Sequence, residues 1–241
     1  MQAILDFLLK MAKSIWFWIL LAGFGEILTN VSSQTVEDSY ITTDLLFIGE
    51  SYAALAMLLG ANEAGRYISS GSLATGYFSS RPIYLLVAQV IGVAFVNIFI
   101  VYSLLFSFEV SLLYQKWHPN FSLQTHWPEI SQAYLSRLSN SVFMVILVLP
   151  LLLVLKGRFA IIVLIMLSIA LNGIEKGIEM LYGQKIGEQI NYFFPNELIK
   201  EIGYFPADWH LAALLTAYLI GLFLLSVVAI PYSFKVKKSN A

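Results

Sequence analysis

Long apolar segments dominate this 241-residue sequence and constrain its fold more than any other feature. A helix needs about 20 largely apolar residues to cross a bilayer, and six segments approach or exceed that length. The second is the most polar of them, because Asp44, Glu50 and Ser51 interrupt it. We therefore predict an all-α fold, a polytopic membrane protein with six transmembrane helices in a single transmembrane domain over residues 1–241. The predicted spans are residues 14–31, 43–62, 83–107, 139–156, 159–178 and 210–231.

Composition agrees with a membrane protein and excludes several functional classes. Charged residues make up 12% of the chain, about half of the roughly 25% found in soluble domains. The net charge of −1 provides no broad basic surface for nucleic acid. The absence of cysteine excludes disulfides, thiolate metal ligands and cysteine nucleophiles. The N-terminus lacks a small-residue cleavage site, so we expect the first span to be retained as an anchor.

The basic residues predict the orientation of the spans. With the N-terminus inside, nine of the fourteen lysines and arginines fall on inner segments and five on outer loops. The positive-inside rule then places both termini in the cytoplasm. We expect a multi-pass cell membrane protein, in a bacterial inner membrane or a plasma membrane. We expect residues 156–159, KGRF, to form a tight inner hairpin, and residues 108–138 to form a long outer loop that carries Glu109 and Arg137.

The segment between spans two and three, residues 62–86, reads NEAGRYISSGSLATGYFSSRPIYLL and holds two of the four arginines. Residues 63–70 can form two helical turns. We expect Gly71 and Gly76 to break this helix, and the position before Pro82 disfavours helix as well. The helix would be amphipathic. Its apolar face is Ala64, Tyr67, Ile68 and Gly71, and its polar side is Glu63 and Arg66. By physical chemistry alone, a loop resting on anionic lipid explains this segment.

The stretch YISSGSLATGYFSSRPIYLLVAQVIG resembles the segment after the second helix in type 2 ABC exporter permeases. That family has an aromatic-Ile pair, a Ser/Gly-Gly-x-Leu step, and then Arg-Pro or Lys-Pro before the third helix. The matching positions are Tyr67, Ile68, Ser70, Gly71, Leu73, Arg81 and Pro82. The six-span layout and the C-terminal AALLTAYLIGLFLLSVVAIPYSFKVKK are similar as well.

The resemblance implies a transmembrane permease subunit of an ATP-driven ABC exporter. The segment between helices two and three would be a short cytoplasmic coupling helix that rests in a groove of a separate ABC ATPase subunit. The implied coupling residues are Glu63, Arg66, Tyr67, Ile68, Gly71 and Arg81. The chain would form a homodimer, or a heterodimer with a related permease, among membrane lipids. It would bind no cofactor itself, since ATP and Mg belong to the ATPase, and peptide, lipid, drug and polysaccharide are all open as cargo.

The sequence contains no recognisable catalytic or metal-binding motif. It has no G-x-x-x-x-G-K-[ST] phosphate loop, no H-E-x-x-H zinc motif and no G-x-S-x-G nucleophile motif. We therefore expect the chain not to be an enzyme, to have no catalytic residue and to hold no metal. Two other classes stay open, an intramembrane enzyme and a non-catalytic membrane assembly factor, and co-purification of an ATPase would separate them from a permease.

Two acidic residues fall inside predicted spans. Glu26 lies in span one and Glu50 in span two. A carboxylate at the bilayer centre costs about 2.5–3.5 kcal/mol on insertion scales, so we do not expect either to face lipid. Both are candidates for the transport pathway. The alternative is a protonated or boundary residue that hydrogen-bonds a neighbouring helix, an alternative that is stronger for Glu26 because it is near a helix end.

Overall fold

A computed structural model describes residues 13–33, 41–117, 123–183 and 209–235. Within these ranges the chain folds into helices, and no strand occurs. The helices are α1 (Ile15–Ser33), α2 (Ile41–Ser69), α3 (Ser72–Phe78), α4 (Ile83–Trp117), α5 (Leu123–Val154), α6 (Ala160–Tyr182) and α7 (Trp209–Lys235). The all-α prediction is confirmed for this part of the chain.

Five of these helices are long and apolar enough to cross a membrane. The qualifying segments are Ile15–Ser32, Ile83–Lys116, Gln124–Val154, Ala160–Tyr182 and Ala213–Tyr232. Five of the six predicted spans lie on them, which is consistent with a multi-pass membrane protein. The second predicted span, 43–62, lies within α2, which has sufficient length at 29 residues but is not among the five.

The prediction of a long loop over residues 108–138 is wrong. Helix α4 continues to Trp117 and α5 begins at Leu123, so the described part of this region is helical. The 35 residues of α4 extend about 52 Å at 1.5 Å per residue. The hydrocarbon core of a bilayer is only about 30 Å thick. Hydropathy indicates which residues of a helix lie in the bilayer. The helix itself depends on backbone hydrogen bonds, and these continue beyond the bilayer.

Residues 63–70 do not form a separate short helix, because α2 runs without interruption to Ser69. Gly71 ends it as predicted, with a left-handed backbone at φ 85°. Gly76 does not break a helix, since it lies inside α3, where a Cβ would come within 2.6 Å of Leu86 Cδ2. Glycine is therefore needed here for close packing and not for a break. Arg81 and Pro82 lie between α3 and α4, as predicted.

The chain forms two compact units. The first contains residues 1–59 and 97–141, and the second residues 60–96 and 142–241. In the first unit α1 packs on α4: a Cβ on Gly23 would lie 2.6 Å from Leu105 Cδ1. The rings of Phe24 and Phe108 meet edge to face with centroids 4.7 Å apart. Small and aromatic residues thus bring these two helices together.

In the second unit α2 crosses the turn between α5 and α6. That turn, residues 155–159, is short, and it contains left-handed backbone at Lys156, Gly157 and Phe159. The predicted KGRF hairpin is confirmed. A Cβ on Gly157 would lie 2.0 Å from the Gly65 carbonyl oxygen, so the two backbones touch with no side chain between them.

Candidate functional site

The residues assigned to ATPase coupling do not form one exposed surface. Ala64 and Ile68, the centre of the expected apolar contact face, are buried in the second unit. The chain itself covers them, and the adjacent Gly65 lies against Gly157 in the turn before α6. A partner protein could reach the neighbouring polar residues but not this face.

Glu63 and Arg66 form an ion pair on the last turns of α2. Arg66 Nη1 lies 3.0 Å from Glu63 Oε1, with the Arg66 side chain 68% exposed and that of Glu63 17% exposed. Asn62 Nδ2 donates a second hydrogen bond to the same oxygen at 3.2 Å. The carboxylate is thus held against its own helix, and the guanidinium extends into solvent.

Tyr67 connects the end of α2 to the start of α4. Its hydroxyl donates to Gln89 Oε1 at 3.1 Å. Arg81 is exposed in the connection after α3, and its backbone N–H donates to the Gly76 carbonyl at 3.2 Å. Phe78, at the end of α3, is 70% exposed. Exposed residues of this region therefore lie at Arg66 and Ser69 of α2 as well as at α3 and the residues after it.

For the two membrane acids, a place in the transport pathway stays a prediction. Glu26 lies on α1 with a half-buried side chain, and its backbone carbonyl accepts a hydrogen bond from Thr29 Oγ1 at 2.9 Å. Glu50 lies in α2, and its side chain falls outside the described part of the structure. Within the described ranges, no three histidine, aspartate or glutamate side chains gather into a group that could hold a metal ion.

The first unit contains a buried polar cluster that the sequence analysis missed, formed by Tyr52, Tyr102, Ser103, Glu109 and Tyr134. The Tyr52 hydroxyl donates to Glu109 Oε2, and both side chains are fully buried. The Ser103 and Tyr134 hydroxyls are 2.7 Å apart. Three helices, α2, α4 and α5, supply these groups.

The aromatic rings of the buried polar cluster lie in series, each tilted against the next. The ring centroids of Tyr52 and Tyr102 are 5.3 Å apart, and those of Tyr102 and Tyr134 are 5.4 Å apart. Beside the cluster, Ser141 Oγ reaches the Ala53 carbonyl at 3.2 Å. A buried carboxylate is costly unless hydrogen bonds satisfy it, so Tyr52 stabilises Glu109 in this position. Carboxylate and phenol groups can also accept and release protons.

Helical spacing could have revealed this cluster. Tyr102, Phe106 and Glu109 are spaced i, i+4 and i+7, and so they share one face of α4. The sequence analysis placed Glu109 and Arg137 in a loop, and in a loop helical spacing does not indicate which residues share a face. Continuing the helical period past the apolar segment would have placed the carboxylate beside the two aromatic residues.

The motif that carries the resemblance to exporter permeases runs from the end of α2 through α3 and the connection after it into the start of α4. Its glycine and Arg-Pro positions coincide with the two interruptions of the helix there. In comparisons with known proteins, no family model, no curated protein and no solved structure matched this chain.

Proposed function

We propose that this chain is the transmembrane permease subunit of an ATP-driven exporter of the type 2 ABC class. In this proposal α2 also crosses the membrane, which brings the number of spans to six. Both termini are cytoplasmic, and α3 is the coupling helix. The chain pairs with a second permease copy or a related permease, and a separate ATPase subunit binds ATP and Mg. The proposal rests on the sequence motif together with the geometry of α3.

The observation that carries the proposal is a short helix, α3, placed between two long helices and exposed on one side. Leu73 and Gly76 are buried, whereas Thr75, Phe78 and Arg81 are exposed. A helix with one anchored face and one free face suits docking into a groove of a partner protein. Because Ala64 and Ile68 are covered, we propose that the ATPase contacts residues 75–81 and not residues 63–71.

The anchored face of α3 supports a mechanical role. The Tyr77 ring stacks on Phe234 of α7 with centroids 4.9 Å apart, and Gly76 lies against Leu86 of α4. A displacement of α3 would pass to α4 and α7 through these packed contacts, since coupling between sites travels through such contiguous contacts. ATP-driven closure of the ATPase subunits would in this way move membrane helices of the second unit.

Co-purification tests the proposed partner. The full-length chain, tagged and purified from its native membranes in mild detergent, is expected to retain an ATPase that contains a phosphate loop. Phe78→Ala and Arg81→Ala should each lower the retained ATPase at matched membrane levels, Phe78→Ala more, because aromatic and arginine anchors dominate interfaces. Arg158→Ala, an exposed arginine in the turn between α5 and α6, is the matched control and should retain the ATPase.

Two results would contradict the proposal. The first is the absence of any ATPase even after chemical cross-linking in the membrane. The second is an ATPase that stays bound to Phe78→Ala and Arg81→Ala as tightly as to the unmodified chain. A stable complex with other membrane proteins and no ATPase would instead favour an assembly factor.

The proposed orientation is tested with single cysteines, since the chain has none of its own. Ser70→Cys and Ser239→Cys should react only with membrane-permeant thiol reagents in intact cells. Ser122→Cys should react with impermeant reagents. Labelling of Ser70→Cys from outside would place α3 on the outer side and exclude its contact with a cytoplasmic ATPase.

A further inference from the structure

The second unit contains a cavity of about 400 Å³ between the last turns of α2 and the start of α6. Its volume falls within the roughly 300–1,000 Å³ of small-molecule binding clefts. Asn62, Arg66 and Ser69 line it from α2, and Gly157, Phe159 and Ile162 line it from the turn and from α6. None of these residues is required for the contact of α3 with an ATPase.

The backbone contact between α2 and the turn lies beside this cavity, since Gly157 belongs to both. Gly65 faces Gly157 with room for no side chain, and a Cβ on Gly65 would lie 2.8 Å from Ala160 Cβ. The close approach brings polar residues of α2 beside apolar residues of α6. The cavity therefore lies next to a tightly packed backbone contact.

The two walls of the cavity differ in chemistry. Asn62, Arg66 and Ser69 are spaced i, i+4 and i+7, so their polar groups share one edge of α2. On the opposite wall Phe159 is 68% exposed and Ile162 is 52% exposed. A ligand that fills this cavity must combine hydrogen-bond acceptors with a hydrocarbon chain.

The charges around the cavity favour an anion. The guanidinium of Arg66 has five N–H donors, and the ion pair with Glu63 uses Nη1. Its other donors can bind phosphate oxygens, for which the planar guanidinium is well suited. Lys156 and Arg158, exposed in the adjoining turn, add two further positive charges.

We propose that this cavity binds an anionic glycerophospholipid. Its phosphate would be held by Arg66 with Asn62 and Ser69, and an acyl chain would lie along Phe159 and Ile162. The site goes beyond the proposed transport function and is independent of an ATPase, because it needs only the second unit and a membrane. In this site a specific lipid binds between two helices, in contrast to general attraction to a charged membrane surface.

Lipid titration of the full-length chain in detergent tests the proposal. The probes are dioleoyl phosphatidylglycerol, dioleoyl phosphatidylcholine with the same chains, and glycerol 3-phosphate without chains. Native mass spectrometry counts bound lipid, and thermal unfolding measures stabilisation. We expect the anionic lipid to bind and stabilise the protein at concentrations at which the other two do not. Equal binding of both lipids, or stabilisation by glycerol 3-phosphate alone, would overturn the proposal.

Variants separate the cavity from general electrostatics. Arg66→Gln should weaken phosphatidylglycerol binding by about fivefold, the effect of one basic residue near anionic lipid. Arg81→Gln removes the same charge outside the cavity and is the matched control, with binding unchanged. Ser69→Phe keeps every charge but fills the cavity from an exposed helix end, and it should also abolish specific binding.

Two results with these variants would contradict the proposal. Equal losses for Arg66→Gln and Arg81→Gln would mean that the lipid responds only to total charge. Normal binding by Ser69→Phe, in a protein that elutes as a single folded species, would place the lipid elsewhere.

Discussion

Helix α2 is held in two different ways along its length. In the first unit polar side chains make its contacts: Tyr52 donates to Glu109 of α4, and the Ala53 carbonyl accepts from Ser141 of α5. In the second unit its backbone at Gly65 lies directly against Gly157. Helices in membranes associate by both means, through interhelical hydrogen bonds and through small residues that permit close approach.

This difference in contacts determines which substitutions each part of α2 can accept. A backbone contact has no space for an added atom, so even one methyl group disrupts it. A hydrogen-bonded contact accepts changes that keep the shape and the bond, and it fails when one partner is removed and the other stays buried. The two contacts of α2 should therefore respond oppositely to addition and removal of atoms.

The largest expected effect is that of Gly157→Ala. The added Cβ would meet the Gly65 carbonyl at 2.0 Å, and the residue has φ 71°. Left-handed backbone costs about 1–2 kcal/mol for a non-glycine residue, and overpacking costs about 1–3 kcal/mol. We expect a loss of about 4 kcal/mol in the free energy of unfolding, measured by denaturant titration in detergent.

The control for this variant is Gly92→Ala on α4, where an added Cβ meets nothing within 4 Å. That substitution should be neutral or slightly stabilising, because alanine favours helix over glycine by about 1 kcal/mol. Equal stability of the two variants would show that the close approach at Gly65 does not exist.

The next effect concerns removal of atoms from the buried polar cluster. Glu109→Ala takes away the acceptor of the Tyr52 hydroxyl and leaves a void among buried rings. We expect a loss of about 3 kcal/mol in the free energy of unfolding, because the buried Tyr52 hydroxyl loses its acceptor and a cavity forms. Glu109→Gln keeps an oxygen acceptor and should lose clearly less.

Glu26→Ala is the matched control for the carboxylate, because Glu26 is only half-buried and also lies on a long apolar helix. Its effect on unfolding should stay within about 0.5 kcal/mol. If Glu109→Ala were no worse than Glu26→Ala, the cluster would not stabilise the first unit.

The smallest expected effect is that of Ser141→Ala. Ser141 Oγ is bonded across helices to Ala53 at 3.2 Å and within α5 to Arg137 at 3.0 Å. Removal of the hydroxyl should cost about 1 kcal/mol, measured in the same unfolding assay. Ser107→Ala removes an exposed serine that bonds only within α4, and it should have no measurable effect. Equal effects would show that the interhelical bond contributes nothing.

Local sequence determined much of the fold. The apolar segments predicted six spans, of which five lie on helices long and apolar enough to cross a membrane, and KGRF predicted the tight turn between two of them. Gly71 and Arg81-Pro82 predicted the two interruptions around α3. These features depend on hydropathy and backbone preference, which a short window of residues contains.

Tertiary structure alone decided which candidate residues are buried and which are exposed. It buried Glu109, which sequence placed in a loop, and it covered Ala64 and Ile68, which sequence offered to a partner protein. It also brought Gly65 and Gly157 together and placed Arg66 beside the start of α6. Each of these features depends on contacts between residues far apart in the chain. The chemistry of a residue does not specify which distant residue will pack against it and exclude water.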